Sequence, residues 1–475
     1  MQAVATRSLA DLSGPSGWPL VGNLPQITIA SMHRTLEDWA RRYGPLYRVN
    51  LGRRDVLVVA DSDLIGRMLR DRPDGWRRPS NVQSIIRETG GHGLFSAEGD
   101  DWRRQRRRVM AAFDPAHLHR FFPSLVRVTE RMKTRLDAIA ASGETIDLQA
   151  FLMRYTVDVT AGLAFGIDMN TLEEPGDPLQ AHLDQMFPML MKRIVSPFPW
   201  WRYIKLPSDR RYDRHLVAIH EAIAGFVAAA NDRLARDPSL RAHPTNLLDA
   251  MIAARDDDRE GGGTGLSDAE IVGNVFTVLL AGEDTTANTL SWTLRLLHTH
   301  RPVWDAMRRE VDATLGDATM PISFEQARGF DFIEDCVAES MRLHPVAPFL
   351  ITQNNVDTVV GDVALPADTT VINLMRHDSV DPARLPDAGD FDPARFRDDA
   401  QRAQLKASMP FGAGPRLCPG RYLAMLEMKM VLSTIARNFD LVSVATRDDT
   451  PPREHFAFTM YPEGLQLRLA PRTTP

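Results

Sequence analysis

The chain has 475 residues, 44% of them hydrophobic and 25% charged, with a formal net charge of −6. That composition is ordinary for a soluble globular protein, and the acidic balance argues against a nucleic-acid binder. Two cysteines, Cys336 and Cys418, exclude a disulfide framework and fit a reducing compartment.

The length suits one large domain or two to three ordinary ones, and we expect a single domain over 1–475 with residues 1–13 as a flexible N-terminus. The first thirty residues hold no apolar run of membrane-spanning length and no signal-peptide pattern. Strand-like alternation marks Leu46–Leu51 and Val56–Ala60, then Val356–Val363 with Thr370–Leu374, and finally Phe456–Leu469. Helical periodicity dominates from Trp102 to about Met341 and again after Cys418, where Tyr422 to Arg437 reads as a helix. Strands at both ends of the chain predict a small sheet beside a large helical body, a mainly α fold with a small β region (α+β). The Asp, Gly and charge content of residues 256–265 predicts a solvated, flexible loop.

Several stretches carry chemistry. Residues 102–108 read Trp-Arg-Arg-Gln-Arg-Arg-Arg; alone they fit a nucleic-acid patch or a solvated face, but Trp102 and Arg106 lie one helical turn apart and face the same way. Residues 186–201 are rich in methionine and aromatic side chains, which suits either an adaptable lid or interhelical packing. Ser267 and Glu270 form a capping box before a helix running through Ile271, Val275, Val278 and Leu279 to about His298. Inside it sits Ala281-Gly282-Glu283-Asp284-Thr285-Thr286. Charges in an apolar helix are costly unless paired or useful, although an exposed polar face is the plainer reading. Gly282 weakens the helix by roughly 1 kcal/mol relative to alanine. Thr285 can bond back to a preceding carbonyl, opening a groove beside Ala281 and Gly282. Glu339 and Arg342 stand at i,i+3 on a helix, ordinarily a weak surface pair.

Residues 411–420 read Phe-Gly-Ala-Gly-Pro-Arg-Leu-Cys-Pro-Gly. A cysteine just before a helix N-terminus is favoured as thiolate. Gly412, Gly414 and Gly420 let the backbone turn tightly and approach a flat ligand, and Arg416 suits an anionic cofactor edge. Together these suit a thiolate on haem iron with Arg416 at a propionate. A buried structural cysteine is the plainer alternative. A phosphate loop is disfavoured because no Gly-Lys-Ser/Thr follows.

From about Gly14 to Arg468 the chain resembles the cytochrome P-450 superfamily, on the 411–420 decamer, on residues 281–286, on Glu339-Ser340-Met341-Arg342 and on Phe391-Asp392-Pro393-Ala394-Arg395-Phe396. The resemblance implies the cytochrome P-450 fold and haem b (iron protoporphyrin IX), with Cys418 as the axial ligand to the iron. Phe411, Gly412, Gly414, Gly420, Ala281 and Gly282 would lie against the haem, and Trp102, Arg106 and Arg416 on its propionates. It further implies that Thr285 and Asp284 manage protons while O2 is activated, a relay Glu283 is positioned to share. Glu339, Arg342 and Arg395 would form a structural triad, and Phe95, Ala281, Ala347, Phe349 and Phe458 would meet an apolar substrate: a fatty acid, terpenoid, polyketide or steroid. Lys192 or Arg193 would anchor a carboxylate.

The stretch after Pro345 departs from the pattern. Residues 351–355 lack the usual cation, leaving one propionate contact missing or supplied by Arg376 or His377. No strand–GxGxxG–helix unit is present, so the resemblance implies no fused reductase. Electrons would pass from NAD(P)H through a reductase and a ferredoxin or flavodoxin, which would dock on the basic patch. The expectation is a soluble, bacterial-type, cytoplasmic monomer with no membrane anchor, acting as a monooxygenase. A peroxide-using or rearranging haem-thiolate enzyme and a non-catalytic haem sensor are the alternatives, and the acid–alcohol pair disfavours both.

Overall fold

The computed structural model describes residues 6–473 apart from 53, 114, 175–177, 184, 197 and 261–264. The chain condenses into two compact units that interleave along the sequence. One comprises Met1–Ser84, Ala338–Cys418 and Glu454–Tyr461; the other comprises Ile85–Val337, Pro419–Arg453 and Pro462–Pro475.

The first unit is built on a five-stranded sheet with the spatial order Leu46–Leu51, Arg54–Val59, Thr370–Leu374, Phe349–Asn354 and Trp76–Arg77. Leu46 pairs with Val59 in an antiparallel hairpin, Leu57 runs parallel to Val371, and Phe349 lies opposite Leu374. Val56 to Val59 are buried without alternation, as for a strand covered on both faces. The core joins Leu57, Val59, Ile65, Leu69 and Val371, and Met409 and Ala413 from the approach to Cys418 pack onto it. The expected strand Val356–Val363 is two short strands, Thr358–Val360 and Val363–Leu365, because Gly361 turns the chain at φ +63°. Arg7–Ser8, expected to be flexible, pairs in parallel with Val363–Ala364.

Helices dominate the second unit. The longest described, Asp268–Thr299, starts where the capping box places it: the Glu270 amide donates to Ser267 Oγ (3.2 Å), and the Ser267 amide donates to the Glu270 carboxylate (2.7 Å). It packs along Leu148–Phe165. The helix Leu247–Glu260 runs through the first half of the expected loop at 256–265. Its end is held by ion pairs of Asp256 with Arg241 (2.6 Å) and Arg255 (2.8 Å); residues 261–264 of that loop lie outside the described ones. A three-stranded sheet orders Phe439–Thr446, Leu465–Pro471 and Thr145–Asp147. Among the described residues no helix is long and apolar enough to cross a membrane.

Candidate active site

Cys418 closes a tight loop in the first unit. Its amide donates to the Phe411 carbonyl (3.0 Å), the Gly412 amide to Met409 (2.9 Å) and the Leu417 amide to Gly414 (3.1 Å). Gly414 has φ +69°, and a Cβ there would lie 2.5 Å from the Leu69 carbonyl oxygen, so glycine is required twice over. A Cβ on Gly412 (φ +77°) would meet nothing within 4 Å, so the loop offers a bare backbone surface. Cys418 is a half-buried thiol two residues before Gly420, the N-cap of helix Arg421–Asn438. A soft thiol before a helix N-terminus, a guanidinium two residues away on the partly buried Arg416 and a bare glycine surface form a donor set that fits a haem.

The same unit holds a dense ionic knot. Arg342 grips Glu339 through Nε (2.7 Å) and Nη2 (2.8 Å), and Arg395 Nε lies 3.4 Å from the same carboxylate. Arg342 also donates to the carbonyls of Ser379 and Ala388 (2.6 Å each) and Asp390 (3.0 Å), and Arg395 to those of Pro386 (2.8 Å) and Asp387 (2.7 Å). All three side chains are buried, so this is no weak surface pair; the meander 379–395 is tied to helix Asp331–Leu343.

Arg376 does not stand by for a propionate. Its guanidinium is buried and clamps Glu37 (2.9 and 2.7 Å) and Glu454 (2.7 Å). His377 lies 3.2 Å from Asp378. Of the candidate substrate residues in this unit, Ala347 and Phe349 lie on the stretch to which the hairpin Glu454–Pro462 is bonded, and Phe458 sits at the hairpin's tip. The Met460 amide donates to Val346 (2.8 Å), and the Phe456 ring lies 4.7 Å from that of Phe349.

In the second unit the long helix is buried around most of its circumference near residue 283 but open along one side. Glu283, Asp284 and Thr286 are buried; Ala281 is exposed, and Gly282 and Thr285 are partly so. Thr285 Oγ1 donates to the Ala281 carbonyl (2.8 Å), the back-bond its position allows. Gly282 does not break the helix. A Cβ there would lie 2.5 Å from Thr160 Oγ1, so the glycine admits the neighbouring helix. Trp102 is buried and Arg106 partly so on helix Gly99–Ala112. Arg104, in the same basic run, is bound to Glu270 (3.1 Å). Within residues 186–201 Arg193 is buried against Asp209 (3.3 Å) with Tyr212 beneath it (4.5 Å), so it is no carboxylate anchor; Lys192 is exposed.

Two residues escaped the sequence reading. Asn274 accepts from the Leu94 amide (2.8 Å) and donates to Gln105 (3.1 Å), tying the segment that carries Phe95 to the long helix; a lone amide in an apolar helical run was the signal. Glu427, on helix Arg421–Asn438, is buried, and burial pushes its carboxyl well above the usual range while a Thr286 hydrogen bond pulls the other way.

The cytochrome P450 family model matches residues 12–469. The chain is 29% identical over 465 residues to mouse (Mus musculus) mitochondrial 25-hydroxyvitamin D-1 alpha hydroxylase, covering 92% of this chain and 88% of that one. It is 26% identical over 494 residues to pig (Sus scrofa) thromboxane-A synthase, covering 96% and 91%. A crystal structure of a cytochrome P450 superposes with a TM-score of 0.83 at 24% identity, covering 97% of this chain and 99% of that one. This protein therefore belongs to the cytochrome P450 family, oxidoreductases of the monooxygenase class whose cofactor is a thiolate-ligated haem.

Proposed function

We propose that this protein inserts one atom of O2 into an apolar organic substrate, a fatty acid, terpenoid, polyketide or steroid, with electrons from NAD(P)H delivered by a separate reductase and a ferredoxin or flavodoxin. Cys418 would hold the haem iron, and Arg416, Trp102 and Arg106 would hold the propionates. Haem bound through a thiolate supplies the activation of O2 and the oxidising power. Phe411, Gly412, Gly414, Gly420, Ala281 and Gly282 would lie against it, with Gly412 offering bare backbone. Glu339, Arg342 and Arg395 are structural, fixing the backbone on which the Cys418 loop stands. The Thr285 hydroxyl would hold a proton for O2 activation and Asp284 would resupply it, with Glu283 as a second acid beside it. Phe95, Ala281, Ala347, Phe349 and Phe458 meet the substrate with apolar surface and exclude water. The protein works as a cytoplasmic monomer.

The observation that carries this reading is the alcohol of Thr285, partly open beside Ala281 and flanked by the buried acid Asp284. The test is electron coupling. With NADPH, ferredoxin and its reductase, Thr285→Ala is expected to keep consuming reductant while product per NADPH falls at least about tenfold. Coupling as tight as wild type contradicts the role given to Thr285. Product with hydrogen peroxide but none with reductant and O2 would instead support the peroxide-using alternative.

A further inference from the structure

Glu454 begins the hairpin strand Glu454–Phe456 and collects four nitrogen donors. His33 Nε2 and Arg34 Nε each lie 2.9 Å from its Oε2; His344 Nδ1 lies 2.9 Å and Arg376 Nη1 2.7 Å from its Oε1. The partners come from separate stretches: the helix Met32–Tyr43, the residue after helix Asp331–Leu343, and the second residue beyond the strand Thr370–Leu374. Arg376 is itself clamped by Glu37 of the first helix. The side chains of Glu454, His33, Arg376 and Glu37 are all less than a tenth exposed. A buried ionic cluster of this kind is a poor device for stability alone, because desolvation offsets much of the attraction.

What the cluster borders lies two to four residues further on. Phe456 packs on Phe349, the Ala457 amide donates to the Thr459 carbonyl (2.9 Å), and Phe458 between them has φ +91°. A bulky side chain at positive φ is strained and persists only where its surroundings over-determine it. The far arm is held by the Met460–Val346 hydrogen bond and the near arm by the charges on Glu454.

We propose that Glu454 is a positioning residue for substrate selection: held by His33, Arg34, His344 and Arg376, it sets the root of the hairpin and so the placement of the Phe458 side chain. This rests on the reading of Phe458 as a substrate-contacting residue. Glu454→Gln keeps the shape but removes the charge and turns an amide toward nitrogen donors.

The test is a cycle of Glu454→Gln, Phe458→Ala and the double variant in the haem-loaded protein. One probe is 1-dodecylimidazole, whose nitrogen takes the iron and whose chain reports on the apolar residues; the other readout is amide hydrogen exchange at 457–459. Each single variant is expected to weaken probe binding by about three- to tenfold, and the double variant by no more than Phe458→Ala alone. Exchange at 457–459 should quicken in Glu454→Gln while the unfolding midpoint and the spectrum of the reduced carbon monoxide adduct stay near wild type. If Phe458→Ala weakens binding but Glu454→Gln changes neither binding nor exchange, the positioning role is overturned. If Phe458→Ala has no effect on binding, the assignment of Phe458 fails, and the proposal falls with it. Should Glu454→Gln not fold, His33→Gln, which removes one partner and leaves the carboxylate paired, should move both readouts the same way to a smaller extent; no movement there overturns the proposal.

Discussion

Glu339 and Glu427 are both buried glutamates on helices, yet their neighbourhoods are opposite. Around Glu339 stand two guanidiniums, and the Asp392 amide donates to the same carboxylate (3.1 Å). Beside Glu427 stands the hydroxyl of Thr286, and burial pushes its carboxyl well above the usual carboxylate range. The first region is a charged knot whose members depend on one another. The second is a neutral contact on the helix that carries Thr285. Ionic pairing is spent where backbone segments distant in sequence must be tied, and a neutral acid suffices where two helices already pack.

That contrast can be broken from either side. The largest effect is expected for Arg342→Ala, which leaves a buried carboxylate without its main partner and frees three carbonyls; the loss should be about 3–5 kcal/mol in denaturant unfolding. Thr286→Val should cost about 1–3 kcal/mol by removing a hydrogen bond from a buried carboxyl, and should push that carboxyl still higher. Glu427→Gln should cost least, about 0.5 kcal/mol or less near pH 4, because an amide resembles a neutral acid in size and bonding, and it should gain on wild type as pH rises.

The pH dependence sharpens the point. Because the folded protein holds the Glu427 proton more tightly than the unfolded chain, that contribution is complete below the ordinary carboxylate pKa. It is lost as pH rises, by up to about 1.4 kcal/mol per unit, until the folded-state pKa is passed. Urea midpoints should therefore fall from pH 5 towards alkaline pH in wild type and fall less in Glu427→Gln; parallel profiles would contradict a protonated Glu427.

Much of this fold is legible in the sequence because local rules suffice. Ser267 and Glu270 announce the long helix, and the alternation in Leu46–Leu51 and Thr370–Leu374 matches strands with those bounds. The strand Phe439–Thr446 was not legible: it begins directly after a helix and draws its identity from partners at Leu465–Pro471, far along the chain. The helix through residues 256–260 was hidden for a similar reason, since Arg241 and Arg255 hold Asp256. At the site, motif residues could be named from spacing, but their partners could not. That Arg376 is consumed by Glu37 and Glu454, and Arg193 by Asp209, depends on residues up to 339 positions away. Glu427 reads in sequence as one charge on a helix, and only its burial shows that its carboxyl is pushed towards the protonated form.

The measurement closest to the central claim is the absorption spectrum of the reduced carbon monoxide adduct of wild type and Cys418→Ser. Wild type is expected to give a thiolate-type spectrum that is lost in the variant. An unchanged thiolate-type spectrum in Cys418→Ser would contradict it.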